Sequence, residues 1–334
     1  MIDKYSAPDG APGGARRVVV LGTGGTIAGR AVEPGDNLGY RAGEVGVGEL
    51  LAGIAVPGVA LQAEQVANID SKDMDGEVWR ALALRCAHWL AQDEVAGIVV
   101  THGTDTLEET AFFLHSVLAP QRPVVLACAM RPATALSPDG PQNLRDAIHV
   151  AAMPGLSGVL AVCAGTVHGA QAVQKVHTYR LDAFSSGDLG PVGVVEEGRV
   201  VLAHGGPGAP QASPAPEAMQ RIAAGAPWPR VEIVLSHAGA GGLLVDALLR
   251  ERAESPAAGV QGIVLAGTGN ATLHRELEAA AARAQAAGVA VVRATRCAFG
   301  RVLPAGGEGA LPDAGGLSPV KARIALMLSL MRAG

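Results

Sequence analysis

Two short apolar runs end in the same kind of turn. Residues 17–29 read RVVVLGTGGTIAG and residues 97–106 read GIVVTHGTDT. Thr23, Thr26, Thr101, Thr104 and Thr106 therefore crowd the ends of two segments whose Val, Leu and Ile content suits buried strands. A threonine hydroxyl is a poor nucleophile at neutral pH, but held rigidly beside a base it can attack a carbonyl and form an ester intermediate. A residue of the right type for such a base is present. Of 26 basic residues only Lys4, Lys72, Lys175 and Lys321 are lysine, and lysine can surrender its proton when desolvated, whereas arginine effectively cannot. The same residues admit plainer roles. Glycine supplies tight turns and threonine caps helices, Asp105 could cap a helix beginning at Leu107, and Lys175 could be a solubilising cation on a strand edge.

Other chemistries are disfavoured by spacing. A dinucleotide fingerprint needs G-x-G-x-x-G, and the 22–27 stretch GTGGTI puts Ile27 at the third glycine. A phosphate loop needs Lys and Ser or Thr after its glycines, where this chain has Arg30 and Ala31. The nine histidines include no HExxH or comparable metal spacing, and no G-x-S-x-G elbow occurs. Neither a nicotinamide cofactor nor a catalytic metal is expected from these spacings.

The elements that must position these turns form an alternating pattern. Strand-like runs at 18–21, 59–65, 98–101, 124–127 and 159–163 alternate with amphipathic helical patterns at 73–92 and 107–118. In the second helix Glu108 and Glu109 sit in the first turn, where the helix dipole favours them. A Gly-, Pro- and Ala-rich stretch at 204–230 reads as a linker with at most one short helical piece. Beyond it the pattern restarts, with strands at 231–235, 262–266 and 289–293 and helices at 243–252, 273–287 and 319–331. The fold class is α/β, with a large N-terminal domain built on a mainly parallel sheet flanked by helices, plus a smaller C-terminal α/β domain. The expected division is a flexible tail at 1–15, the N-terminal domain at 16–203, the linker at 204–230 and the C-terminal domain at 231–334. In such sheets ligands bind beyond the carboxyl ends of the strands, where both threonine turns fall, together with a third turn, GTGNA, at 267–271.

Composition narrows the partners. The 334 residues are 49% hydrophobic and 17% charged with a formal net charge of −5, so there is no basic field for nucleic acid, and a small-molecule partner is favoured. No apolar run is long enough to span a bilayer, and the first 14 residues lack the apolar core of a signal peptide, which makes the cytoplasm the expected compartment. Cys86, Cys128, Cys163 and Cys297 fall in apolar patterns without CxxC spacing and are expected as reduced core residues.

The segments TGGTIAG (23–29) and THGTDTLEETAFFL (101–114) closely resemble the paired signatures of the bacterial-type L-asparaginases. EQVANIDSKDM (64–74), AMRPATALSPDGPQNL (129–144) and QKVHT (174–178) follow in the family's order, as do the Gly-rich linker and LSPVKARIALMLSL (317–330). The resemblance spans nearly the whole chain after the tail. It implies a cofactor-free hydrolase that converts L-asparagine to L-aspartate and ammonia, with L-glutamine as a slower substrate, and a homotetramer assembled as a dimer of intimate dimers. It also implies roles for individual residues. Thr26 is the nucleophile, and Thr104, Asp105 and Lys175 form the proton-handling group across the scissile amide. Tyr40, in a loop read as mobile from its Gly, Pro and Asn content, is the lid tyrosine that contacts the nucleophile. Ser71 binds the substrate α-carboxylate, for which capping a helix at 73 is the plainer alternative, and Asp105 takes the α-ammonium.

The chain departs from the family pattern in places. Lys72 stands where periplasmic members carry Gln or Glu near the substrate ammonium, and it repels that ammonium unless it points away or pairs with Asp70 or Asp73. Thr272 stands where an Asn usually reaches the neighbouring subunit's site, with Asn270 as a substitute, and Glu308 aligns loosely with the acidic partner of the lid tyrosine. The competing readings are a broad glutaminase-asparaginase, an amidotransferase subunit, for which no tRNA-docking region is visible, and a catalytically silent amino-acid-binding protein. Intact Thr26, Thr104, Asp105 and Lys175 argue against the last.

Overall fold

The computed structural model describes residues 16–31, 33, 36–203, 216–304 and 310–333. The first 15 residues, read as a flexible tail, and residues 204–215 of the linker stretch lie outside the described residues. The chain divides into two compact units, the second beginning at residue 212.

The first unit runs β1 (Arg16–Gly24), β2 (Arg30–Ala31), β3 (Tyr40–Arg41), α1 (Val47–Leu50), β4 (Val59–Ile69), α2 (Gly76–Leu90), β5 (Val95–Thr101), α3 (Leu107–Leu118), β6 (Val124–Ala127), α4 (Gly140–Ala151) and β7 (Val159–Cys163). It ends with β8 (Thr166–Gly169), β9 (Gln174–Lys175), β10 (Phe184–Ser185), β11 (Gly193–Glu196) and β12 (Arg199–Leu202). Eight strands form one sheet in the order β12-β11-β8-β7-β6-β5-β1-β4. From β4 to β7 all pairs are parallel, and β8, β11 and β12 extend the sheet antiparallel. The chain leaves β1 to build β4 on one side and then crosses to build β5 on the other. The strand order therefore reverses between β1 and β5, and a crevice opens there at their carboxyl ends.

The central parallel strands β5, β6 and β7, and β1 from Val18 onward, are buried almost throughout, as near-continuous apolar runs require, whereas the edge strand β4 is only half-buried to exposed. Val18 and Val20 of β1, Val99 of β5 and Val125 of β6 share one core layer with Val47 of α1 and with Leu144 and Ile148 of α4. Elsewhere Trp79 of α2 stacks on Phe113 of α3, with ring centroids 4.7 Å apart, and donates through its indole N–H to Thr110. The expected helix at 73–92 begins later, at Gly76, because the Asp75 carboxylate accepts the Val78 amide and caps it there.

The second unit holds α5 (Pro216–Ala223), β13 (Val231–Leu235), α6 (Leu243–Glu254), β14 (Gly262–Gly267), α7 (Arg275–Ala286), β15 (Ala290–Thr295) and α8 (Pro319–Ala333). Its three strands are parallel in the order β13-β14-β15. The end of the stretch read as a linker becomes α5, which buries Ala218 and Ile222 and packs against α8. Lys321 of α8 is buried at 2% exposure.

Cys86, Cys128 and Cys163 are buried and free, as expected. Cys297 is not a core residue: β15 stops at Thr295, and the thiol is exposed in the turn beyond it. There the Thr295 hydroxyl, the Gly269 backbone and the Thr268 hydroxyl hold its pKa below the ordinary thiol value.

Candidate active site

Both threonine turns open on the crevice between β1 and β5. Their separation is set by backbone contact. Gly25 has φ +81° and ψ −174°, a conformation open essentially to glycine alone. A Cβ added there would lie 2.2 Å from the Gly103 nitrogen. The Thr23 hydroxyl donates to the Thr101 carbonyl at 2.8 Å and ties the two strand ends together.

In the first turn, Thr26 begins a single 3-10 turn and is 7% exposed. Its hydroxyl lies 2.6 Å from the Tyr40 hydroxyl. Tyr40 stands on β3, paired with Ala31 of β2, so the residue expected in a mobile loop is carried by a short antiparallel ribbon. The ring lies over Gly29, where an added Cβ would meet it at 2.7 Å. The segment after β6 braces this ribbon: the Thr134 hydroxyl accepts the Ala31 amide, and the Gly29 carbonyl accepts the Ala133 amide. Asp139 in turn fixes that segment by accepting the Met130 and Arg131 amides.

In the second turn, Thr104 is 6% exposed and its hydroxyl accepts from the Lys175 ammonium at 2.8 Å. The same ammonium donates to Asp105 at 2.6 Å. Thr106, not Asp105, stands at the N-cap of α3, which leaves the Asp105 carboxylate to Lys175. Ser71 is buried against this turn. Its hydroxyl accepts the Asp105 amide, and its carbonyl accepts from the Thr106 hydroxyl. Asp70 caps the short 3-10 turn at Ser71–Asp73 and Asp75 caps α2, so Ser71 is not the cap of the helix that follows.

Lys72 pairs with both neighbouring acids, at 2.6 Å to Asp70 and 3.3 Å to Asp73. The hydrogen bonds to Asp70 and then Asp73 raise its pKa and keep it charged. Asn270 and Thr272 belong to the turn after β14 in the second unit. Asn270 exchanges hydrogen bonds with the Leu303 backbone, and the Thr272 hydroxyl donates to the Thr268 carbonyl. Glu308 lies outside the described residues. Among the described residues no group of three or more His, Cys, Asp or Glu could hold a metal ion, and no helix is long and apolar enough to cross a membrane.

His102 was not singled out from the sequence. It is fully buried inside the second turn, with Nδ1 2.7 Å from the Gly103 carbonyl, and burial pushes its pKa down to about 4. Burial does the same to His168 of β8, also to about 4. Both are neutral in the native state near pH 7, and unfolding lets each take up a proton near its ordinary value of about 6.5. Their contribution to stability is complete above that value and is lost as pH falls toward 4. Thermal unfolding is therefore expected to hold steady from pH 8 to about 6.5 and then fall steeply, with up to roughly 3 kcal/mol lost per histidine. Asp146, whose carboxyl burial pushes up, works in the opposite direction and offsets part of this. A calorimetric midpoint that stays level down to pH 4 would contradict the prediction.

A hydroxyl bonded to a phenol and a second hydroxyl bonded to an amine–carboxylate pair, both at the switch point of a doubly wound sheet, form the layout of a nucleophile-and-base enzyme centre. Residues 17–206 match the family described as Asparaginase, N-terminal, and residues 230–333 match the Glutaminase/Asparaginase C-terminal domain. The chain belongs to the asparaginase family. It is 38% identical to L-asparaginase 2 of Bacillus subtilis, over 94% of this chain and 82% of that protein. It is 33% identical to the glutaminase-asparaginase of Pseudomonas fluorescens biotype A, over 94% and 86%. The crystal structure of a probable cytoplasmic L-asparaginase from Campylobacter jejuni superposes with a TM-score of 0.84 at 34% identity, covering 95% of each chain.

Proposed function

We propose that this protein hydrolyses the side-chain amide of L-asparagine to L-aspartate and ammonia, with L-glutamine as a slower substrate. The observation that carries the reading is the pair of strand-end hydroxyls, Thr26 and Thr104, each bonded to a titratable group and held by turns in backbone contact. Thr26 Oγ1 attacks the amide carbon and its proton passes toward the Tyr40 hydroxyl. The Tyr40 hydroxyl relays a proton on to the amide nitrogen, and the tetrahedral species then breaks its C–N bond, expels ammonia and leaves an ester on Thr26. Water, activated on the side of Thr104, cleaves that ester and regenerates the hydroxyl. Lys175 and Asp105 keep Thr104 poised for proton transfer, Ser71 receives the α-carboxylate, and Asp105 receives the α-ammonium.

The working form is proposed to be a cytoplasmic homotetramer, a dimer of intimate dimers, with Asn270, Thr272 and Glu308 offered toward the neighbouring subunit. Sedimentation of the purified chain tests the assembly. Ammonia release from L-asparagine and from L-glutamine tests the activity: no release from either amide by folded protein would overturn the reading, and near-equal rates would favour the broad glutaminase-asparaginase alternative.

Lys72 is proposed to tune amide selectivity. Its charge is shared with Asp70 and Asp73, so Lys72→Gln frees two acidic groups near the position proposed for the substrate ammonium. The variant is expected to change the asparagine-to-glutamine ratio of kcat/KM by roughly 3- to 10-fold, a shift of about 1 kcal/mol. Steady-state constants matching those of the unmodified protein on both amides would remove Lys72 from the list of determinants.

A further inference from the structure

Lys175 reaches Thr104 and Asp105 from a part of the chain 70 residues away in sequence. It sits on β9, a two-residue strand that among the described residues pairs only with β10: Lys175 faces Phe184, and Gln174 faces Ser185. So short a ribbon does not fix its own position. Its first end is tied to the main sheet, since Ala172 and Val173 donate to the Gly169 carbonyl where β8 ends. Its second end is tied by a side chain. Directly after β10, the buried Ser186 hydroxyl lies 2.8 Å from Nδ1 of the buried His168 on β8. His168 stands in the sheet opposite Ala161 of β7. Residues 168–186 thus form a loop whose two ends meet in one buried hydrogen bond, with Lys175 inside it. A second clamp holds the middle of the loop, where the Cys163 thiol donates to the Leu181 carbonyl.

We propose that His168 and Ser186 are positioning residues for Lys175: their buried hydrogen bond fixes the β9–β10 ribbon against the main sheet and so sets the reach of the Lys175 ammonium to Thr104 and Asp105. The catalytic consequence rests on the hydrolase reading above; the anchoring itself does not. Neither residue touches the proposed substrate. Loss of the bond leaves Ser71 and Asp105 in place and shifts the amine that serves Thr104, so the chemical step suffers more than binding.

The test uses full-length protein carrying His168→Ala, His168→Asn, Ser186→Ala and the double alanine variant. Two readouts are taken: amide hydrogen exchange across residues 174–185, and kcat, KM and the pH profile of kcat on L-asparagine. The alanine variants are expected to exchange at least about tenfold faster in 174–185 while β1 and β5 stay protected, as loss of a local anchor requires. Their kcat is expected to fall about 10- to 100-fold, the scale of a displacement near 1 Å, with KM within about twofold and a shifted limb in the pH profile. The double variant should cost no more than the worse single one, because the two side chains act as a unit. Asn, which can present a hydrogen-bonding atom where Nδ1 stands, should recover most of the loss. Unchanged exchange in 174–185 in both single alanine variants overturns the anchor. Faster exchange with unaltered kcat and pH profile overturns the positioning of Lys175. Should His168→Ala fail to fold, Ser186→Ala decides by the same criteria. If the unmodified protein releases no ammonia, the hydrolase reading falls, and hydrogen exchange still decides whether the pair holds the ribbon.

Discussion

Replacing Thr26 with alanine is expected to lower ammonia release from L-asparagine by on the order of 10⁴-fold or more, the scale seen when a nucleophile is removed from an enzyme that forms a covalent intermediate. The fold should hardly notice. The turn is built from backbone bonds, the Gly25 carbonyl accepting the Ala28 amide and the Thr26 carbonyl accepting the Gly29 amide, and alanine keeps both. The lost side-chain bond is the one to Tyr40, worth about 1 kcal/mol. Calorimetric titration with L-aspartate should still show binding, because Ser71 and Asp105 are untouched. The decisive pattern is therefore intact thermal stability and intact product binding with turnover gone. Residual kcat within tenfold of the unmodified protein would show that another group attacks the amide.

Gly25→Ala tests the scaffold rather than the chemistry, and its expected effect is nearly as large. The added methyl would lie 2.2 Å from the Gly103 nitrogen and 2.3 Å from its Cα. Both are backbone atoms, so no flexible side chain can swing aside. The backbone at φ +81°, ψ −174° adds strain of about 1–3 kcal/mol for any residue with a Cβ. The turns must move apart, and a displacement near 1 Å between nucleophile and proton-handling group costs about 100-fold in rate. The expected result is a lower unfolding temperature together with at least that loss of kcat. Gly46→Ala is the matched control: φ there is −69° and an added Cβ meets nothing within 4 Å. A Gly25→Ala protein that keeps full activity would show that the contact between the turns does not set the site.

Some of this was legible in the sequence because the signals are local. The strands leading to Gly24 and Thr101 are continuous apolar runs, and a Gly-Thr turn after each places threonines at the sheet's carboxyl end. What joins the turns is not local. Nothing in the sequence around Gly25 says that Gly103 lies against it, and the Ser186 hydroxyl finds His168 only after the chain has gone out to β9 and back. Helix α4 is not among the helices expected from the sequence; its first turn carries a proline, a residue that breaks helix interiors but suits that position. The antiparallel extension by β8, β11 and β12 does not stand out in the sequence because each of these strands carries polar residues or glycine, unlike the equally short but wholly apolar β6. Cys297 departs from the expected core position for a different reason. Apolar character continues past Thr295, whereas the strand does not, and a ladder's end is decided by its partner strand rather than by its own side chains.

The scarcity of lysine has a consequence for anyone who wishes to attach something to this molecule. Lys321 is buried on α8 and Lys175 is committed to Thr104 and Asp105, so among the described residues Lys72 is the most exposed amine. Among the described residues, an acylating reagent aimed at side-chain amines therefore acts beside the proposed active site more than on the general surface. The exposed Cys297, whose thiol is already shifted toward the reactive thiolate, is a second handle, but it lies against Thr268 in the turn proposed to face the neighbouring subunit, so a label there reports on assembly.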